Sequence, residues 1–143
     1  MHIISHTIET SASPKVIWEI WQDVENWNTW DHGIEYSQIE GPFESETKGT
    51  LKPKEGPLIR TVLKEVIPFK SFIDEAQLFL TKIVMKHSLS TSDKKTFVTH
   101  HIEMKGILSF FFAFVIGRNM KKNLPQEMAS MIKKAELIEK CSK

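Results

Sequence analysis

The sequence predicts an α+β domain: an antiparallel sheet of consecutive strands joined to one long C-terminal helix, with two short helices after the first strand. Three observations carry this. All four tryptophans fall between Trp18 and Trp30, directly after the segment Ser11-Ala12-Ser13-Pro14. From residue 34 to residue 104 short period-two segments follow one another with no helical stretch between them, the pattern of a meander. The last third of the chain then returns to helical spacing.

Residues 3–10 mix Ile, His and Thr in rough alternation and read as the first strand. Ser13 is placed to cap a helix, with Pro14 at its first position, where a missing N–H costs nothing. Val16, Ile17, Ile20, Trp21 and Val24 give that helix a buried stripe. Asp23 is placed to cap a second short helix through Trp27, and the Asn- and Gly-rich stretch 26–33 marks a turn. Trp21 belongs to the core, whereas Trp18 lies off the stripe and Trp27 and Trp30 are expected to cover the end of the sheet.

Strands follow at 34–39, 49–52, 58–66, 71–79, 82–90 and 95–104, with Gly41-Pro42, Pro53–Pro57, Pro68 and Thr91–Lys94 between them. Gly106 closes the sheet. Met120, Leu124, Met128, Met131, Ile132, Ala135 and Ile138 then recur at helical spacing with lysines opposite. Pro125 inside this pattern predicts a kink or the true start of the helix. Ile107–Ile116 is apolar almost all round, so it is expected to be buried or to line something hydrophobic.

At 143 residues, 41% apolar and 26% charged, the chain has the size and composition of one globular domain. A net charge of +1 gives no field to attract nucleic acid or an anionic membrane. The single cysteine, Cys141, excludes an internal disulfide and a cysteine-built metal site. No secretory leader pattern is present, and the longest apolar run, Phe110–Ile116, is too short to span a bilayer. A cytoplasmic protein without stable membrane insertion is expected.

Several segments together resemble a known family. They are Ala12-Ser13-Pro14-Lys15-Val16-Ile17-Trp18, Asp23 through Asp31, Gly49-Thr50-Leu51, Thr99-His100-His101-Ile102, Gly106, Leu124-Pro125 and Lys133-Lys134-Ala135-Glu136. In this order they resemble the SRPBCC superfamily, the START-like helix-grip fold, and most closely its polyketide cyclase/dehydrase-like branch. The resemblance covers nearly the whole of residues 1–143 as a single domain. It implies a strongly curved sheet wrapped around the terminal helix, with an elongated apolar cavity between them. Members bind lipids, sterols, polyketides or plant hormones; some catalyse cyclisation or dehydration and others carry or sense.

The candidate site follows from the strand alternation. Ile83, Met85, His87 and Leu89 share one face, and Val98, His100, Ile102 and Met104 share the corresponding face of the last strand. His87 and His100 are then near neighbours across the two strands. Two imidazoles on an apolar face can orient a ligand carbonyl or serve as acid and base. They can equally be bonded to one another and do nothing more. His101 faces outward, His2 and His6 carry little signal, and Arg60 falls with Lys64 toward solvent. Phe111 and Met128 represent the soft apolar surface of the C-terminal third, which suits a flexible or flat guest.

The ligand-binding candidates are therefore His87, His100, Met85, Ile83, Val98, Ile102, Phe111 and Met128. No metal site is expected, because the histidine pair lacks a third ligand, and no cofactor is implied. The expected function is binding of a small hydrophobic molecule, lipid or polyketide-like, as a carrier or sensor. The alternative is a cyclase or dehydratase using His87 and His100 as acid and base, which a single tyrosine, Tyr36, and a mainly aliphatic interior disfavour. A protein-binding role has no evident exposed apolar patch behind it. The oligomeric state is left open by the sequence.

Overall fold

The computed structural model describes residues 2–141. Strand β1 (His2–Thr10) leads into helix α1 (Pro14–Gln22) and a 3-10 helix (Val24–Thr29). Strands β2 (Ile34–Ile39), β3 (Lys48–Pro53), β4 (Ile59–Ile67), β5 (Ser71–Leu78), β6 (Thr81–Ser92) and β7 (Lys95–Lys105) follow. The chain ends in α2 (Ser109–Phe112), a π-helical turn (Ala113–Gly117) and α3 (Arg118–Cys141).

The strands form one antiparallel sheet in the order β1-β7-β6-β5-β4-β3-β2. It curls into a half-barrel around α3, the helix-grip arrangement. Register shifts between Leu63 and Glu65 of β4, and between Ile34 and Tyr36 of β2, help it bend. At Gly49 a Cβ would stand 2.7 Å from the Gln38 carbonyl oxygen, so a side chain there would push β3 off β2.

The junction after β1 forms as its residue types dictate. The Ser13 hydroxyl accepts from the Val16 N–H at 3.4 Å, with Pro14 opening the helix. Asp23 makes no side-chain cap to the 3-10 helix; its carboxylate instead accepts both bonds from the Asn26 amide. The junction is tied to the far end of α3, where Thr10 Oγ1 donates to Glu136 at 2.8 Å and Ser13 Oγ to Glu139 at 3.1 Å.

All four tryptophans are buried. Trp18, expected off the core stripe, is enclosed by Phe43, Phe69 and Phe72. Pro125 lies within α3, so it is not the start of the helix. The buried face of α3 carries Leu124, Met128, Met131, Ile132 and Ala135.

Two expectations are corrected. The stretch from Ile107 is not fully buried: Phe112, Ala113 and Ile116 pack against the core, but Ile107, Phe110 and Phe114 are 77%, 66% and 69% exposed. An exposed apolar patch therefore does exist. The space between the sheet and α3 is filled rather than hollowed, with Trp21, Phe72, Met104, Met128 and Met131 each at most 1% exposed. No helix among the described residues is long and apolar enough to cross a membrane.

Candidate functional site

Four neighbouring strands set four rings in one inward row. His6 of β1 is opposite His100 of β7, His100 opposite His87 of β6, and His87 opposite Phe72 of β5. Opposed residues of an antiparallel pair point to the same face, so alternation and register alone build this row. The His87 and His100 rings meet edge-on with centroids 4.4 Å apart. Trp21 of α1 lies against both, at 5.7 and 5.9 Å.

Asp74 joins them. It is two residues along β5 from Phe72, 4% exposed, with Oδ1 3.9 Å from Nδ1 of His87. Burial pushes its carboxyl up to about 7, against the pull of its own backbone N–H. Burial lowers His87 well below the ordinary imidazole range, helped by His100 and opposed by the Phe72 backbone. His100 is lowered to about 3, first by burial and then by His6. Burial thus disfavours the charged form of both partners, and the 3.9 Å approach is a contact of neutral groups in mild acid rather than an ion pair.

Six buried side-chain atoms have no hydrogen-bond partner among the described residues, and four belong here: Asp74 Oδ1, His87 Nδ1, His100 Nε2 and Trp21 Nε1. Buried polar atoms are ordinarily bonded, so this concentration within an apolar core is where a water or a polar group of a ligand would find partners. Asp74 also borders an internal space of about 10 Å³ lined by Trp27, Ser37, Thr61 and Leu63 among others. That volume takes a water-sized group.

The inward faces of β6 and β7 gather Ile83, Met85, His87, Val98, His100 and Ile102, and Met128 of α3 belongs to the same core. Phe111 does not join them; it is half exposed on α2. Asp74 is not among the candidates drawn from the sequence; its neighbour Glu75 faces out and pairs with Lys82 at 3.6 Å. The signal was available as Phe72, Asp74 and Ala76 on one face of β5. His101 does face outward, bonded to Glu103 at 3.0 Å.

A second concavity, about 690 Å³, lies on the outer face of the sheet between Lys48, Arg60, Lys64, Glu75 and Lys82. None of the eight binding candidates lines either space. Among the described residues no three His, Cys, Asp or Glu side chains are grouped to hold a metal ion.

The family model for polyketide cyclase/dehydrase and lipid transport matches residues 1–136. The chain belongs to that family. This polyketide cyclase/dehydrase and lipid transport domain is also similar to solved structures. A START superfamily protein from Mycobacterium smegmatis aligns with a TM-score of 0.74 at 16% identity, over 96% of this chain and 99% of that one. The Zhui aromatase/cyclase from Streptomyces sp. R1128 gives 0.71 at 12%, over 94% and 93%. The protein TTHA0849 from Thermus thermophilus gives 0.74 at 10%, over 96% and 99%. At these identities the likeness is one of fold. No curated protein matches the chain in sequence. Family membership supports hydrophobic-ligand binding or cyclase-like chemistry as the two functional classes.

Proposed function

We propose that this domain binds a small hydrophobic molecule with a polar end, as a carrier or sensor, using Asp74, His87 and His100 as the polar anchor. The observation that carries this is the set of unpartnered polar atoms at the centre of an apolar interior. A ligand hydroxyl or carbonyl would satisfy them, while Ile83, Met85, Val98, Ile102 and Met128 surround its apolar part. Room is made by displacement of the stretch ending at Gly117, which packs on Met104 and Ile4 over one end of the interior. Methionine-rich walls re-pack around a guest at low cost.

The family's other activity class, cyclisation or dehydration, finds its support in Asp74, whose carboxyl titrates at about 7 beside an imidazole. A general acid works best with a pKa near the working pH. The imidazoles argue the other way. With His100 at about 3 and His87 also lowered, both are weak bases and better suited to hydrogen bonding than to proton abstraction.

Native mass spectrometry of protein purified from its own host, followed by denaturing extraction, tests the binding reading. A stoichiometric apolar compound that is lost in the His87→Phe/His100→Phe protein supports it. A clean mass, together with no uptake of the probe N-phenyl-1-naphthylamine by the folded protein, removes it.

A further inference from the structure

One end of the sheet carries apolar side chains that the fold does not use. The β5–β6 connection is a two-residue turn, Phe79-Leu80, because Leu78 pairs with Thr81. Phe79 is 72% exposed, and Leu80 is half exposed at φ 50°, a left-handed conformation that normally falls to Gly or Asn. The other two-residue turn, between β6 and β7, also holds left-handed residues, yet these are Asp93 and Lys94. Strain is therefore common to both tips. Only the first combines it with exposed hydrocarbon.

That tip is held against the start of α2. The Leu108 N–H reaches the Leu80 carbonyl at 3.5 Å, and Gly106 approaches it so closely that a Cβ would stand 2.5 Å from the same oxygen. Phe79 and Leu80 thus sit at the start of the segment that exposes Ile107, Phe110, Phe111, Phe114 and Val115 at helical spacing. Contiguous apolar surface of this kind marks a contact with something else.

The charge around it indicates what. Between Gly106 and Gln126 the chain has three basic residues, Arg118, Lys121 and Lys122, and no acid. The Arg118 guanidinium lies over the Phe114 ring, 5.8 Å from its centroid, and Lys121 and Lys122 follow on the same helix face. Aromatic side chains projecting beyond a cationic flank match the acyl boundary and the anionic headgroups of a bilayer surface. A net charge of +1 conceals this local separation.

We infer that the Phe79-Leu80 turn and the Ile107–Val115 segment form a docking face by which the protein binds reversibly to the surface of an anionic lipid bilayer. The inference is independent of what the interior row binds. It is tested by cosedimentation of the full chain with vesicles of phosphatidylcholine alone and of phosphatidylcholine with phosphatidylserine. Binding is expected to the mixed vesicles, to weaken at high salt, and to fall about tenfold for each of Phe110→Ser and Phe79→Ser. These exposed changes should leave the melting temperature nearly unaltered, and Lys121→Glu/Lys122→Glu should abolish the preference for phosphatidylserine. Failure to sediment with either vesicle overturns the inference. So does binding that the variants leave unchanged, or a dimer in gel filtration that Phe110→Ser converts to monomer without any vesicle binding.

Discussion

His87 lies flat on Phe72, with ring centroids 4.1 Å apart and planes 5° from parallel. The stack gives the imidazole an apolar face on one side while Trp21 and His100 close others. Protonation would therefore place a charge in an aromatic box whose neighbouring acid, Asp74, is itself held neutral by burial in mild acid. Below pH 6.5 the unfolded chain takes up protons that folded His87 and His100 refuse, so stability falls as pH falls. Each contributes a loss of about 1.4 kcal/mol per pH unit, continuing for His100 toward its folded value of about 3. Urea denaturation at about pH 6.5 and about pH 4.5 should show this loss, and His100→Leu should make it smaller.

Asp74 works in the opposite sense. Its folded pKa of about 7 lies above the unfolded value of 3.8, so its contribution is complete below pH 3.8 and is lost as pH rises through 7. Asp74→Asn keeps the shape and removes the charge. The variant should melt higher than the parent at about pH 8, with a smaller gap at about pH 5 that closes only toward pH 3.8. An equal or lower melting temperature on the alkaline side would count against a carboxylate forced to ionise in the core.

A carboxyl pair, Asp31 and Glu127, links the turn after the 3-10 helix to α3. Burial raises both Asp31 and Glu127; the neighbouring Asp31 raises Glu127 further, to about 9, while their mutual hydrogen bond lowers Asp31 in part. The pair holds a proton at neutral pH, and its stabilisation disappears as pH rises through about 9. Glu127→Gln should lessen the fall in melting temperature between about pH 7 and about pH 10, measured by circular dichroism.

Gly106 adopts φ 122° with the Leu80 carbonyl directly against the position of a missing side chain. Gly106→Ala meets both backbone strain and a steric clash. A loss of about 2 kcal/mol or more is expected in denaturant titrations, with hydrogen exchange faster at Leu108 than at the centre of β7.

Much of the architecture was legible because it rests on local rules. Ser13-Pro14 fixes the start of α1, and strict alternation in β6 and β7 brings His87 opposite His100. Asp74 escaped because an acid in a strand is ordinarily read as an outward residue, although Phe72 and Ala76 on the same face of β5 place it inward. The filled interior escaped for another reason. Packing depends on how Trp18, Trp21, Phe43 and Phe72 share volume, which no single segment encodes. The run 107–116 looked like core by composition alone, since hydrocarbon meant for a partner and hydrocarbon meant for the interior are the same letters.

The strand order has a consequence for synthesis. Among the described strands the first in the sheet's chain order, β1, pairs only with the last, β7, with Thr7 and Thr99 hydrogen-bonded across 92 positions of chain. The tether from α3 back to Thr10 and Ser13 spans 126. Leaving the ribosome, β1 must wait for this pairing until β7 has emerged. Long-range closure of this kind slows folding, and the waiting edge is the segment a chaperone would have most reason to hold.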